Sequence, residues 1–147
     1  MNTWKNLYDR LNQVDLEFEA AEGFNEVHKD FERLNAEQMY MGKRSDGQEI
    51  TPAYAPSTIE RKKRKGQPFD RVTLRDTGLF HSKIIAYADN EKIYTDSDVD
   101  YTEHLVEKYT EKIFGLDRDS KKEFAFGPYW SVMKRRLSSV TGLKFNQ

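Results

Sequence analysis

The chain has 147 residues, with 24 Lys and Arg against 25 Asp and Glu, a net charge of −1 and no Cys. That length fits a single domain over residues 1–147, large enough to bury about two thirds of the surface its unfolded chain exposes. Balanced charge excludes a global pull toward nucleic acid or membrane, and the missing Cys excludes disulfides and thiolate metal sites, so a reducing compartment is expected.

The amino-terminal stretch Met1-Asn-Thr-Trp-Lys-Asn-Leu-Tyr8 has no apolar core of signal-peptide length, and no run is long enough to span a bilayer. Thr3 reads as the cap of a first helix, with Trp4, Leu7, Tyr8, Leu11 and Val14 as one apolar stripe ending near Asp15. Leu16-Glu-Phe-Glu-Ala20 alternates apolar and charged residues and reads as a short strand or extended link. Helical spacing returns with Phe24, Val27, Phe31 and Leu34, which predicts a helix over 24–38 whose charged residues face solvent. Residues 41–56 read as an irregular loop punctuated by Gly42, Ser45-Asp46-Gly47 and two prolines.

Ser57 or Thr58 restarts helix, and Lys65-Gly-Gln-Pro68 stops it. Asp76 or Thr77 caps a short helix carrying Leu79 and Phe80. Two strands then lie within 83–96, joined by a two-residue turn at Asp89-Asn90. Such a hairpin is marginal alone and needs further strands or a helix across it. A helix over 101–109 with Asp100 as cap follows, then a turn at Ile113-Phe-Gly-Leu-Asp117. Ser120-Lys-Lys-Glu123 has capping-box spacing, and Phe124, Trp130, Met133, Leu137 and Val140 form an apolar face that Gly127-Pro128 interrupts and Gly142 ends. The expected class is α+β: a small antiparallel sheet packed with several helices and long loops.

Three constellations could carry chemistry. Asp76-Thr77-Gly78 is the aspartic-protease triplet, and one copy would need a homodimer to pair two carboxylates. Arg75 and Leu79 sit where that loop wants apolar and small residues, so a structural turn is the better reading. Asp96, Asp98, Asp100 and Glu107 match ligand positions of a calcium loop, but Tyr101 occupies the position that requires Gly. His28, His81 and His104 have no metal spacing, and the expectation is no metal, no cofactor and no enzymatic activity. The basic run Arg61, Lys62, Lys63, Arg64 and Lys65 reads as a solvated face, as a contact for acidic protein neighbours, or as a phosphate contact. Residues 60–76 carry seven basic residues against three acidic and residues 89–123 eleven acidic against six basic, a layout suited to a subunit whose neighbours are copies of itself.

Pro56-Ser-Thr-Ile59 running into the basic residues, Leu74-x-Asp-Thr-Gly78, Leu79-Phe-x-Ser-x-Ile84, Tyr101-x-x-His104 and Phe114-Gly-Leu116 occur in an order that resembles the phage virion morphogenesis, or tail completion, family. The likeness covers roughly residues 40–125, with departures at Leu105-Val-Glu and Tyr109-Thr-Glu-Lys-Ile113. It implies a structural virion protein, a head-to-tail junction (neck) subunit acting as a ring-forming adaptor, made in host cytoplasm and resident in the virion. Its implied partners are copies of itself and other neck, portal-adaptor or tail proteins, with DNA in the lumen as a further contact and no membrane. The alternative is a nucleic-acid-binding module using residues 61–65.

Overall fold

Asp15 decides where the longest element begins: its carboxylate accepts the Phe18 N–H at 3.0 Å, capping a helix that runs from Leu16 to Tyr40. In chain order the computed structural model, which describes residues 3–145, has α1 (Thr3–Asn12), α2 (Leu16–Tyr40), α3 (Pro56–Arg64), α4 (Leu79–Ser82), β1 (Ile84–Ala88), β2 (Ile93–Ser97), α5 (Thr102–Tyr109), α6 (Arg118–Phe124) and α7 (Trp130–Thr141). Met1 and Asn2, which begin the stretch read for a leader, and Asn146 and Gln147 lie outside the described residues. The architecture is α+β, with one antiparallel two-stranded sheet among the described residues. No helix among them is long and apolar enough to cross a membrane.

The expected strand at 16–20 is helix instead. Leu16 and Phe18 point outward, 62% and 46% exposed, while Glu19 is buried and meets Arg136 of α7 at 2.7 Å. Arg136 also binds Glu26 two turns along α2 at 2.7 Å, and Arg135 pairs with the same Glu26. A charged clamp of α7 on α2 therefore holds these turns helical, and alternation over five residues was a coincidence of composition. A Cβ at Gly23 would run into the Met133 sulfur, so the missing side chain leaves room for Met133 of α7 to pack on α2.

The core has two parts joined through α2 and β1. Phe24, Phe31 and Phe124 meet edge to face with centroids 5.2–5.5 Å apart, the geometry aromatic quadrupoles favour, beside Leu34, Ala86 and Leu116. Met39, Ile50, Val72, Phe80, Ile84, Tyr109 and Ile113 form the other part. The sheet has Ala86 opposite Thr95 and Ala88 opposite Ile93, leaving residues 89–92 as a four-residue connection. The two-residue turn fails because the Asp89 carboxylate accepts the N–H groups of both Glu91 and Lys92 at 2.8 Å and the Tyr94 hydroxyl at 2.8 Å.

Three other caps differ from expectation. Asp117, not Ser120, caps α6 by accepting the Ser120 N–H at 2.9 Å. Tyr101, not Asp100, precedes α5, whose Thr102 hydroxyl donates instead to Ser97 O at 3.0 Å. Thr3 lies inside α1. The loop after α2 is tied down: Lys43 and Glu49 form a bridge, and Asp46 binds Arg44 at 2.9 Å and Lys112 at 3.2 Å. Desolvation would raise the Asp46 pKa, but the Gln48 amide and these two cations outweigh it and lower it to about 2.

α2 also carries a buried polar stripe. Asn35, fully buried, donates to Ile113 O at 3.0 Å and accepts the Gly115 N–H at 3.2 Å; Gln38 donates to Gly115 O at 3.1 Å and accepts the Asp117 N–H at 2.6 Å. Asn35→Ala leaves a buried carbonyl and amide unpaired and is expected to cost about 2–4 kcal/mol. Urea unfolding measures it, with the exposed Glu37→Ala, expected to be near neutral, as control.

Candidate functional site

Helix α3 carries the basic run and stands against the Asp-Thr-Gly turn, and the two are one hydrogen-bonded unit. Pro56 occupies the first turn of α3, where its missing N–H costs nothing, and Gly66 at φ 63° ends it. The five basic residues are then divided by the helical repeat. Lys62 faces inward, 4% exposed, and its ammonium donates to Arg75 O at 2.6 Å, Gln67 Oε1 at 3.3 Å and Thr73 Oγ1 at 3.5 Å while lying 5.0 Å from the Tyr54 ring centroid. It therefore has no donor left for a partner.

Arg61, Lys63, Arg64 and Lys65 remain exposed. Lys65 binds Asp76 at 2.6 Å, and Lys63 reaches Glu60 at 3.5 Å and lies over the Phe69 ring. The Arg61 and Arg64 side chains make no hydrogen bond or ion pair among the described residues. The surface that the sequence presents as five equivalent cations is thus two unpaired arginines one turn apart, with three lysines partly or wholly engaged.

Asp76, Thr77 and Gly78 form a bend that leads into α4. Gly78 sits at φ 92°, and Thr77 Oγ1 accepts the Leu79 N–H at 3.3 Å. The Asp76 carboxylate, however, caps nothing. The Lys65 hydrogen bond, reinforced by Arg61 and Lys62, holds its pKa below the usual carboxylate value, and Gln67 Nε2 donates to its backbone carbonyl at 2.7 Å. Just upstream, Leu74 at φ 49° adopts a conformation a branched side chain rarely takes. Thr73 on its other side is fully buried: its N–H donates to the Tyr54 hydroxyl at 2.8 Å and His81 Nε2 lies 2.8 Å from its carbonyl.

A hollow of about 490 Å3 opens between this unit and α5, floored by Leu74, Phe80, Leu105 and Tyr109 and rimmed by Arg61, Arg75 and Lys108. The four acidic residues read against a calcium loop are spread out: Asp96 ends on its neighbour's N–H, Ser97 N at 2.7 Å, Asp98 and Asp100 lie in the connection to α5, and Glu107 sits on α5 near His104. Among the described residues no three His, Asp or Glu side chains gather as a metal-holding group.

The sequence also missed how much apolar surface stays outside. The α1 stripe packs little, with Trp4 80%, Tyr8 65% and Leu11 44% exposed, and Leu16 and Phe18 continue it onto α2. Its helical spacing was readable, but nothing in the spacing says that this stripe lacks a cover. Comparison with protein-family models, with curated proteins and with solved structures finds no match for the chain.

Two outcomes follow from this geometry. Lys62→Met strands the Arg75 carbonyl and is expected to cost about 2–3 kcal/mol in urea unfolding, whereas Arg64→Glu leaves the midpoint nearly unchanged. The second concerns His81, whose pKa burial lowers from 6.5, with Arg75 and Lys62 pushing the same way. The folded state binds this proton more weakly than the unfolded chain, so the contribution of His81 is intact above 6.5 and shrinks as pH falls through that value. The wild-type unfolding midpoint should drop between about pH 7.5 and 5.5, and His81→Gln, whose amide can donate to the same carbonyl, should show a flatter profile.

Proposed function

We propose that the chain is a non-enzymatic structural subunit of a phage particle, a tail completion or head-to-tail junction protein that works as a ring of copies of itself in contact with other neck or tail proteins. The observation that carries an assembly role is α1: an amphipathic helix whose aromatic stripe stays in water within one chain. Contiguous exposed apolar surface of this kind marks an interaction site.

A ring needs two different surfaces on each subunit. The arginines of α3 supply a basic one, and the exposed Asp96, Asp98, Asp100, Glu103 and Glu107 around β2 and α5 supply an acidic one. The neck reading in particular is supported by the order of the motifs over residues 40–125, and by the way α3 and the Asp-Thr-Gly turn, two of those motifs, form one rigid wall. With Lys65 on the Asp76 carboxylate, the turn is arranged as a brace rather than as half of a proton-sharing pair.

Light scattering across concentration, with negative-stain images, tests this reading. The wild type is expected to form a closed oligomer. Trp4→Ser/Tyr8→Ser/Leu11→Ser should be monomeric yet still unfold cooperatively, with a midpoint that no longer depends on protein concentration, since these side chains bury little in the monomer. A wild type that remains monomeric at its highest soluble concentration overturns the ring.

A further inference from the structure

The two edges of the small sheet are finished differently. Asp98 N donates to Lys83 O at 3.0 Å and Asp89 N to Lys92 O at 3.1 Å, and the register between them places Ile85 opposite Asp96 and Tyr87 opposite Tyr94. Backbone groups alternate sides along a strand, so residues 84, 86 and 88 turn their N–H and C=O away from β2, and residues 93, 95 and 97 turn theirs away from β1. On the β1 side α2 lies along the edge and pairs three of its outward groups. Glu32 accepts the Ala86 N–H at 2.9 Å, and the Asn25 amide accepts the Ala88 N–H at 2.8 Å and donates to its carbonyl at 2.9 Å.

On the β2 side only Ser97 is satisfied, its N–H by the Asp96 carboxylate and its C=O by the Thr102 hydroxyl. The outward N–H and C=O groups of Ile93 and Thr95 have no partner among the described residues. Beside them runs a trough. Two hollows of about 540 and 490 Å3 share Phe31, Ile93, Leu116 and Lys121 in their walls, so the lining is continuous under the overhanging end of β2. Phe31, Phe114 and Leu116 make its floor apolar, and Ile93, on the inner face of the sheet, is still 48% exposed because nothing lies beneath it. Three lysines line this trough beside Glu17, Asp89, Glu91 and Glu111: Lys112 is held by Asp46, Lys92 lies over the Tyr94 ring, and Lys121 makes no ion pair among the described residues.

We propose that this edge docks an extended peptide segment of a partner protein, which adds to the sheet as a third strand. Its backbone pairs with Ile93 and Thr95, an apolar side chain fills the trough over Phe31, Phe114 and Leu116, and a carboxylate faces Lys121. Main-chain pairing supplies affinity in such strand addition, and pockets for alternate side chains supply selectivity. A helix could not use the open backbone groups, and Lys121 is the trough lysine with neither a carboxylate nor a ring partner among the described residues, so it is the cation left for an acidic side chain. The trough is separate from α1 and α3 and borders the acidic surface around β2; the test reads peptide binding rather than oligomer size, so it is decided apart from the ring.

The test uses full-length 15N-labelled protein and the synthetic peptide acetyl-Glu-Val-Thr-Val-Thr-Val-amide. Saturable shifts centred on the amides of Ile93 and Thr95, with slowed hydrogen exchange there, are expected. A version of the peptide N-methylated throughout should bind at least about tenfold more weakly, because it cannot donate to the strand edge. Lys121→Glu should weaken the peptide and strengthen its counterpart carrying Lys in place of Glu. Equal binding of the N-methylated peptide, shifts centred elsewhere, or no saturable shift at millimolar peptide overturns the proposal. So does protection of the same amides that grows with protein concentration and excludes peptide, which would assign the edge to a second copy of this chain.

Discussion

The polar stripe of α2, half-buried Asn25 with buried Glu32, Asn35 and Gln38, is what the rest of the fold depends on. Helices and sheets satisfy their own backbones, but the outer edge of β1 and the turn at 113–117 do not, and both are packed against α2. A buried peptide group without a partner costs about 1–3 kcal/mol. Side-chain amides solve this because each offers a donor and an acceptor at nearly the spacing of a peptide group, and Asn25, Asn35 and Gln38 each use both. Glu32 can only accept. Burial would raise its pKa, but hydrogen bonds from Lys29, His28 and the Ala86 amide outweigh burial and keep the carboxylate ionised. A two-stranded sheet, marginal by itself, is thereby made part of a helix.

The same logic, run with a cation, builds the α3 wall. Lys62 replaces its hydration with a carbonyl, an amide oxygen, a hydroxyl and an aromatic face, which fixes the rotation of α3 against the strained segment at Leu74. That rotation determines where Arg61 and Arg64 point. A charge pair presented from a fixed helix loses less freedom on association than one on a mobile loop. The irregular loop between α2 and α3 is held on its own chain through Asp46 and Lys112.

Local signals were legible where the local sequence controls the outcome. The hairpin strands, the stop at Gly66, the left-handed end at Gly142 and the break at Gly127-Pro128 all follow from residues within a turn of the feature. What was illegible depended on partners far along the chain. Glu19 is buried because Arg136 lies across from it, and Lys62 differs from Lys63 only because the Arg75 carbonyl stands on its side of the helix. Likewise the charged and amide residues of α2 suggest a solvent face until the turn at 113–117 is placed against them. The Asp89 loop was missed for a nearer reason: a carboxylate that can accept two successive amides favours a wider turn than Asp-Asn alone implies.

The asymmetry of the sheet has a physical logic of its own. A fully open edge is a template for uncontrolled strand addition, and natural proteins limit it with short strands and charges. β2 does both: it has five residues, and Asp96 consumes the Ser97 N–H. Only the backbone of Ile93 and Thr95 is left, too short for a sheet to grow along yet long enough to pair with one segment. On the β1 side, where the strand meets the core, α2 pairs the Ala86 N–H and both groups of Ala88. On the β2 side water can serve, and the chain leaves those groups to it. The pairing of Ala86 and Ala88 by α2 and the openness of Ile93 and Thr95 answer the same need, that a backbone group find either a side chain or water.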